Sequence, residues 1–202
     1  MSETPGRSGV PFVGLTGGIG AGKSTALVAL QELGAETLSA DAVVHELLGS
    51  DEIRDVVAER LGVGVLAEDG SVDRAAVATH VFEHPDDRAW LEGMLWPRVG
   101  ARIAEWKAEL DGRESPPVAA IVEVPLLFEA GMESVFDTTI AVVADEDLRS
   151  TRAAARGHTA VAERSARQLG QDEKAQRADH AVRNDGSREE LKAELSRVLA
   201  TI

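Results

Sequence analysis

The chain has 202 residues, 44% of them hydrophobic, enough for one domain of ordinary size or a domain with a small appendage. Its 35 Asp and Glu outweigh 21 Lys and Arg, for a formal charge of −14, and aromatics make up only 3% with no Tyr. This argues against the basic footprint and the stacking platform that nucleic-acid binding needs, and the absence of Cys excludes disulfides, thiol nucleophiles and thiolate metal sites.

The first nine residues read as a loose, flexible tail with no apolar core of a secretory signal. The longest apolar stretch, Val118 to Phe128, is interrupted by Glu123 and Pro125 and is too short for the roughly 20 apolar residues of a membrane span. The expectation is an acidic cytoplasmic protein whose partners are small molecules, with no nucleic acid and no membrane, as a monomer or small homo-oligomer. Anionic ligands would need locally placed cations.

Val10 to Leu15 is an apolar run ending in a glycine cluster, as a buried strand would. Ala26, Leu27, Leu30 and Leu33 follow at helical spacing, with Gly34 as a stop. Glu36 to Ser39 is a weak second strand. Strand, glycine turn, helix, strand opens a βαβ unit and therefore a parallel sheet.

Residues 42–112 read as almost entirely helical, with apolar faces at Val43, Val44, Leu47 and Leu48, then Ile53, Val56, Val57 and Leu61, then Val77, Val81, Phe82, Trp90, Leu91, Met94, Leu95 and Val99. A crossover needs only about a dozen residues, so part of this block is expected to stand off the sheet as a substrate-side subdomain. Strands resume at Val118 to Val124 and Thr139 to Ala144. Asp145 caps the next helix, and Arg149, Arg152, Arg156, Arg164 and Arg167 follow it. This cluster is either a lid that meets a transferring phosphoryl group or a solvated helix face. A short strand is expected at His180 to Arg183. Ser187 and Glu190 form a capping box before the terminal helix.

The sharpest local signal is Gly17-Gly18-Ile19-Gly20-Ala21-Gly22-Lys23-Ser24, which fills every fixed position of G-x-x-x-x-G-K-[ST]. A chance match in a chain of this length has odds of about one in a hundred. Phosphate oxygens need converging backbone N–H groups, so side chains are unwelcome in the loop. Lys23 brings a charge to the β- and γ-phosphates and Ser24 a hydroxyl to Mg²⁺, while the next helix turns its positive end to the anion. The loop alone says nucleoside triphosphate. No N-K-x-D base-reading motif is present, so a small-molecule kinase leads over a GTPase.

Two carboxylates are candidates beside it. Asp41 follows the second strand and fits either a proton acceptor for an attacking hydroxyl or a helix cap. Glu123 interrupts an apolar strand and fits either a Mg²⁺ site through water or a buried acid paired with a nearby cation. His80 and His84 are spaced for one helix face, but Pro85 follows and no third zinc ligand is evident.

Taken together, the motifs resemble the dephospho-CoA kinase family. Leu15 to Thr25, Ser39-Ala40-Asp41 with His45-Glu46, Asp69 to Arg74 with Val81-Phe82, and Val124 to Glu129 stand in the family's order. So do Gln168, Glu173-Lys174, Ala178-Asp179 and Asn184-Asp185-Gly186. The resemblance implies ATP-dependent phosphorylation of the 3′-hydroxyl of dephospho-CoA, giving CoA and ADP, the last step of CoA synthesis. It implies a three-layer α/β P-loop kinase fold with a parallel-sheet core at 10–41, 113–148 and 169–202, a helical substrate subdomain at 42–112 and a lid at 149–168. Residues Gly17 to Thr25 would hold ATP, with Arg156 and Asn184 on the nucleotide side. Asp41 takes the place of the catalytic base, Arg152 that of the lid arginine, and Arg74 a substrate-side position. Ser39 stands where the family has an Asp, Trp96 where it has a His, and Gly157 where it has an Asp. Other small hydroxyl acceptors, and a nucleotide-binding protein without transferase activity, remain the alternatives.

Overall fold

A computed structural model describes residues 9–155 and 168–202. The expected tail, apart from Gly9, and residues 156–167 of the expected lid, with Arg156, Arg164 and Arg167, lie outside the described residues. The chain divides into two compact units, one running to Ser39 and resuming at Lys107, the other Ala40–Trp106.

The first unit is built on a parallel sheet of five strands in the order β2-β3-β1-β4-β5. They are β1 (Phe12–Gly17), β2 (Glu36–Ser39), β3 (Ala120–Glu123), β4 (Thr138–Val143) and β5 (His180–Arg183). Among the described residues, the helices of this unit are α1 (Lys23–Glu32), α6 (Glu146–Ala155), α7 (Gln171–Arg177) and α8 (Arg188–Leu199), joined by the last turns of α5 (Pro85–Asp111). The alternation along β1 decides its two faces. Val13 and Leu15 enter a core with Ala26, Ala29 and Leu30 of α1, and Leu191 and Leu195 of α8. On the other face Gly14 leaves room that the side chains of Leu127 and Phe136 occupy. Asp111 at the end of α5 accepts from the Val10 backbone N–H at 2.8 Å, which fixes the entry to β1.

The second unit has its own core of Leu48, Ile53, Val57, Leu61, Val65, Val77, Leu91 and Leu95. It comprises α2 (Ala40–Leu48), α3 (Asp51–Leu61), α4 (Arg74–Glu83) and α5 as far as Trp106. Ser50 caps α3 and Asp73 caps α4, the latter accepting from Ala75 and Ala76 N–H groups at 2.9 and 3.2 Å.

Several boundaries differ from expectation for local reasons. The first strand starts two residues later than Val10, because Pro11 has no N–H for the ladder, although its carbonyl accepts from Ala120. The third begins at Ala120, since Val118 is exposed. The block expected to be almost all helix is broken between α3 and α4. Gly62 turns at φ +88° and Gly70 at φ +80°, and Leu66 and Val72 bridge across the turn. Asp69 closes that turn by accepting from the N–H and hydroxyl of Ser71. Phe82 and Val56, expected on apolar faces, are exposed. Asp145 accepts from the Asp147 N–H at 3.0 Å, which is the expected cap of α6, and both halves of the Ser187 capping box form.

Candidate active site

From the end of β1 the connection runs to β2 on one side of the sheet, and from β4 it runs to β5 on the other. Strands whose connections diverge in this way are expected to leave a crevice beyond their carboxyl ends, and the Gly17–Gly22 turn follows β1 at that end. Gly22 caps α1 at φ +94°, and a Cβ there would strike the Asn184 side chain. Gly20 turns at φ +78°, with the backbone of Arg149 where its Cβ would stand. These two positions need glycine both for conformation and for space.

Three side chains hold the loop by its carbonyls. Arg149 donates from Nε to Ile19 O at 3.0 Å, and Asn184 donates from Nδ2 to Ala21 O at 2.9 Å. Lys23 donates from Nζ to Gly17 O at 3.0 Å and Gly18 O at 3.4 Å. Asn184 is buried and held in turn, its carbonyl accepting from the Arg152 guanidinium at 2.9 Å and its N–H donating to Val143 O. With these carbonyls taken up, N–H groups of the loop can turn toward a ligand, apart from that of Ala21, which donates to Gly18 O at 3.2 Å. The N-cap Gly22 has no side chain to cap the first turn of α1, where Ser24 is exposed and Thr25 half-buried.

The strand register brings a carboxylate to the same edge. Leu15, Glu123 and Ser39 are aligned across β1, β3 and β2. The Ser39 hydroxyl donates to Glu123 Oε2 at 3.0 Å, while Glu123 Oε1 lies 3.9 Å from Lys23 Nζ. Lys23 and Glu123 keep only 14% and 16% of their side-chain surface exposed, so their attraction is little screened. Of the two sequence readings of Glu123, the structure shows the cation-paired, half-buried acid, and it places that acid beside the glycine loop. Its carboxylate and the Ser24 hydroxyl are hard oxygen donors of the kind Mg²⁺ takes when phosphates complete its shell. The described residues hold no cluster of three or more His, Asp or Glu that would bind a metal by itself.

Asp41 and Arg74 belong to the second unit. Asp41 is exposed in the first turn of α2 and follows Ser39 by two residues in the chain. Arg74 opens α4 and its guanidinium donates to His45 Nδ1 at 3.1 Å, so that ring nitrogen carries the lone pair. The His80 and His84 rings stack at 4.3 Å, and His80 Nε2 is engaged by Asp87 at 2.8 Å.

Sequence reasoning missed three contacts. Arg149 was one arginine in a run, and nothing in the spacing tells that it reaches Ile19. Ser39 read as the loss of a carboxylate rather than as a hydroxyl seated on Glu123. Lys174 lies on a short polar helix, where no pattern announces a fully buried ammonium.

A family profile described as dephospho-CoA kinase matches residues 11–190. The dephospho-CoA kinase of Symbiobacterium thermophilum is 37% identical over 91% of this chain and 78% of its own length. That of Anaeromyxobacter dehalogenans is 37% identical over 94% of this chain and 91% of its own. Among solved structures, the TT1252 protein of Thermus thermophilus superposes with a TM-score of 0.81 at 34% identity, covering 96% of this chain and 98% of that one. The dephospho-CoA kinase of Campylobacter jejuni gives 0.68 at 26% identity, covering 93% and 94%. A shikimate kinase from Bacteroides thetaiotaomicron, at 14% identity and a TM-score of 0.51, covers 94% of this chain and 96% of that one and shares the fold. A parallel α/β sheet, a glycine loop sealed by Arg149 and Asn184, and this degree of likeness over nearly the whole chain together place the protein in the dephospho-CoA kinase family.

Proposed function

We propose that the chain transfers the γ-phosphoryl group of ATP to the 3′-hydroxyl of dephospho-CoA, with Lys23, Asp41 and Arg152 as the working side chains. The observation that carries this reading is the loop itself. Its carbonyls are bonded to Arg149, Asn184 and Lys23, and it lies at the strand ends beside Glu123.

The chemistry asks little of the protein beyond placement and charge. The triphosphate would lie along the N–H groups of Gly17 to Thr25, with the Lys23 ammonium on its β- and γ-oxygens. Asp41 would accept the proton of the ribose 3′-hydroxyl as that oxygen bonds to the γ-phosphorus and the bond to the bridging oxygen of ADP breaks. A base so placed contributes about 10²–10⁴-fold. The exposure of Asp41 in the first turn of α2 suits a group that must meet a substrate hydroxyl. Arg152, half-buried and already bonded to Asn184 at the loop, would receive the negative charge that spreads over the equatorial oxygens. Mg²⁺ fits the donor set of Ser24 and Glu123 and, when bound, neutralises part of the triphosphate charge. Arg156 is proposed for the nucleotide side and Arg74 for the acceptor side, where its cationic head would meet an anionic group of the substrate. No helix among the described residues is long and apolar enough to cross a membrane.

A coupled ADP-release assay with dephospho-CoA, shikimate, a nucleoside panel and simple sugars tests the reading. Turnover with dephospho-CoA alone is expected. Turnover with another acceptor only, or ATP binding with no turnover on any, would replace it with one of the two alternatives.

A further inference from the structure

Lys174 is the largest fully buried side chain among the described residues, and it is charged. An isolated ammonium in such a place is costly, so its partners matter. They come from two separate segments, the end of β1 and the turn after β3. Nζ donates to Pro125 O at 2.6 Å and lies 3.4 Å from Thr16 Oγ1. It also pairs with Glu129, at 2.9 Å from Oε1 and 3.3 Å from Oε2. Thr16 Oγ1 itself donates to Pro125 O at 3.3 Å, and Glu129 Oε1 accepts from the Leu169 N–H at 2.7 Å. Burial pulls the Lys174 pKa below the ordinary lysine value, against the opposing pull of the Glu129 carboxylate.

Both segments adjoin the glycine loop and Glu123. Thr16 is the residue before Gly17 and Gly18. Pro125 follows Glu123 by two residues, and Glu129 ends the same turn. Thr16 is paired with Ala141 of β4, but Pro125 lies beyond the end of β3 and has no N–H for a ladder, so the contact with Lys174 adds a tie on that side.

We propose that Lys174 is a positioning residue for phosphoryl transfer: its ammonium ties the stem of the phosphate loop to the segment carrying Glu123 and so sets the spacing between Lys23 and that carboxylate. It touches neither substrate and acts through Thr16 and Pro125. The inference rests on the ATP reading of the loop given above.

The test uses the full chain with three variants: Lys174→Met, Glu129→Gln and the double K174M/E129L. The double variant replaces the buried ion pair by apolar side chains of similar volume, an exchange that often leaves stability unchanged. Thermal melts establish which variants are folded at the assay temperature. In the folded double variant, the expected result is a rise of about tenfold in KM for ATP and a comparable fall in kcat, with KM for dephospho-CoA within about twofold of the parent. E129Q keeps the ammonium and its bonds to Pro125 and Thr16, so its KM for ATP stays within about twofold. Unchanged KM for ATP and kcat in the folded double variant overturn the proposal. So does an equal rise in both KM values, or a loss in E129Q as large as in K174M, since either marks general support of the fold. Calorimetry of ATP with the parent protein separates the two levels: if the parent fails to bind ATP, the reading of the loop fails first.

Discussion

The two units differ in how tightly their functional side chains are held. In the first, almost every group at the phosphate loop is bonded to another. Gly20 and Gly22 are hemmed in by Arg149 and Asn184, Asn184 is itself held by Arg152 and Val143, and Glu123 is shared between Ser39 and Lys23. In the second, Asp41 is exposed, and Arg74 reaches His45 through an exposed hydrogen bond. Its packing is reserved for the helix core around Val57 and Leu91. The contrast fits the ligands proposed above. Triphosphate recognition uses backbone N–H groups, which work only if the backbone is fixed before the ligand arrives. Recognition of an acceptor hydroxyl rests on side chains whose alignment is completed in the substrate complex.

Perturbing each half should therefore give different kinetic signatures. Asp41→Asn removes only the proposed proton acceptor, so kcat should fall by about 10³-fold while calorimetry finds an unchanged Kd for ATP. An unchanged kcat would leave Asp41 a helix-terminal residue and nothing more. Lys23→Ala strikes the other half: kcat/KM for ATP should fall by about 10²–10³-fold, with the binding step affected as well. Normal ATP binding and turnover in that variant would break the division between the units. Gly22→Ala adds a Cβ to a left-handed position against Asn184, and KM for ATP should rise by about tenfold with a smaller change in KM for dephospho-CoA.

The smallest effect concerns acid stability at the rim of the loop clamp. The Asp145 backbone N–H, donating at 2.6 Å, and then Arg183 hold the Asp185 carboxyl below the ordinary aspartate value. A lowered folded-state value means stabilisation that is present above about pH 4 and is lost as pH falls through that lower value. Asp185→Asn should therefore lower Tm by about 2 °C near pH 7, and the gap to the parent should narrow below pH 4. A gap that is constant with pH would assign the loss to packing instead.

The centre of the sheet was legible because β1, β3 and β4 are apolar runs with clear punctuation. The β2 and β5 bounds match the sequence expectation because Ser39 and Arg183 end their strands just before a helix start and a turn. The glycine loop was legible because close backbone approach admits few residue types. What escaped were long-range polar contacts. Asn184 lies 163 residues from Ala21 in the chain, and Lys174 lies 158 from Thr16. No local periodicity encodes such pairs; the parallel crossovers bring them together only once the sheet has formed. Conversely, Phe82 and Val56 looked like core and are exposed, because a helix in a small unit has more apolar positions than its neighbours can cover.

The most direct test is to follow the phosphoryl group itself. Incubated with ATP, magnesium and dephospho-CoA, the protein should produce ADP and an equal amount of a ribose 3′-phosphomonoester, resolved by phosphorus NMR. ATP that binds without transfer to that hydroxyl, or a phosphate found at any other position, would contradict the account.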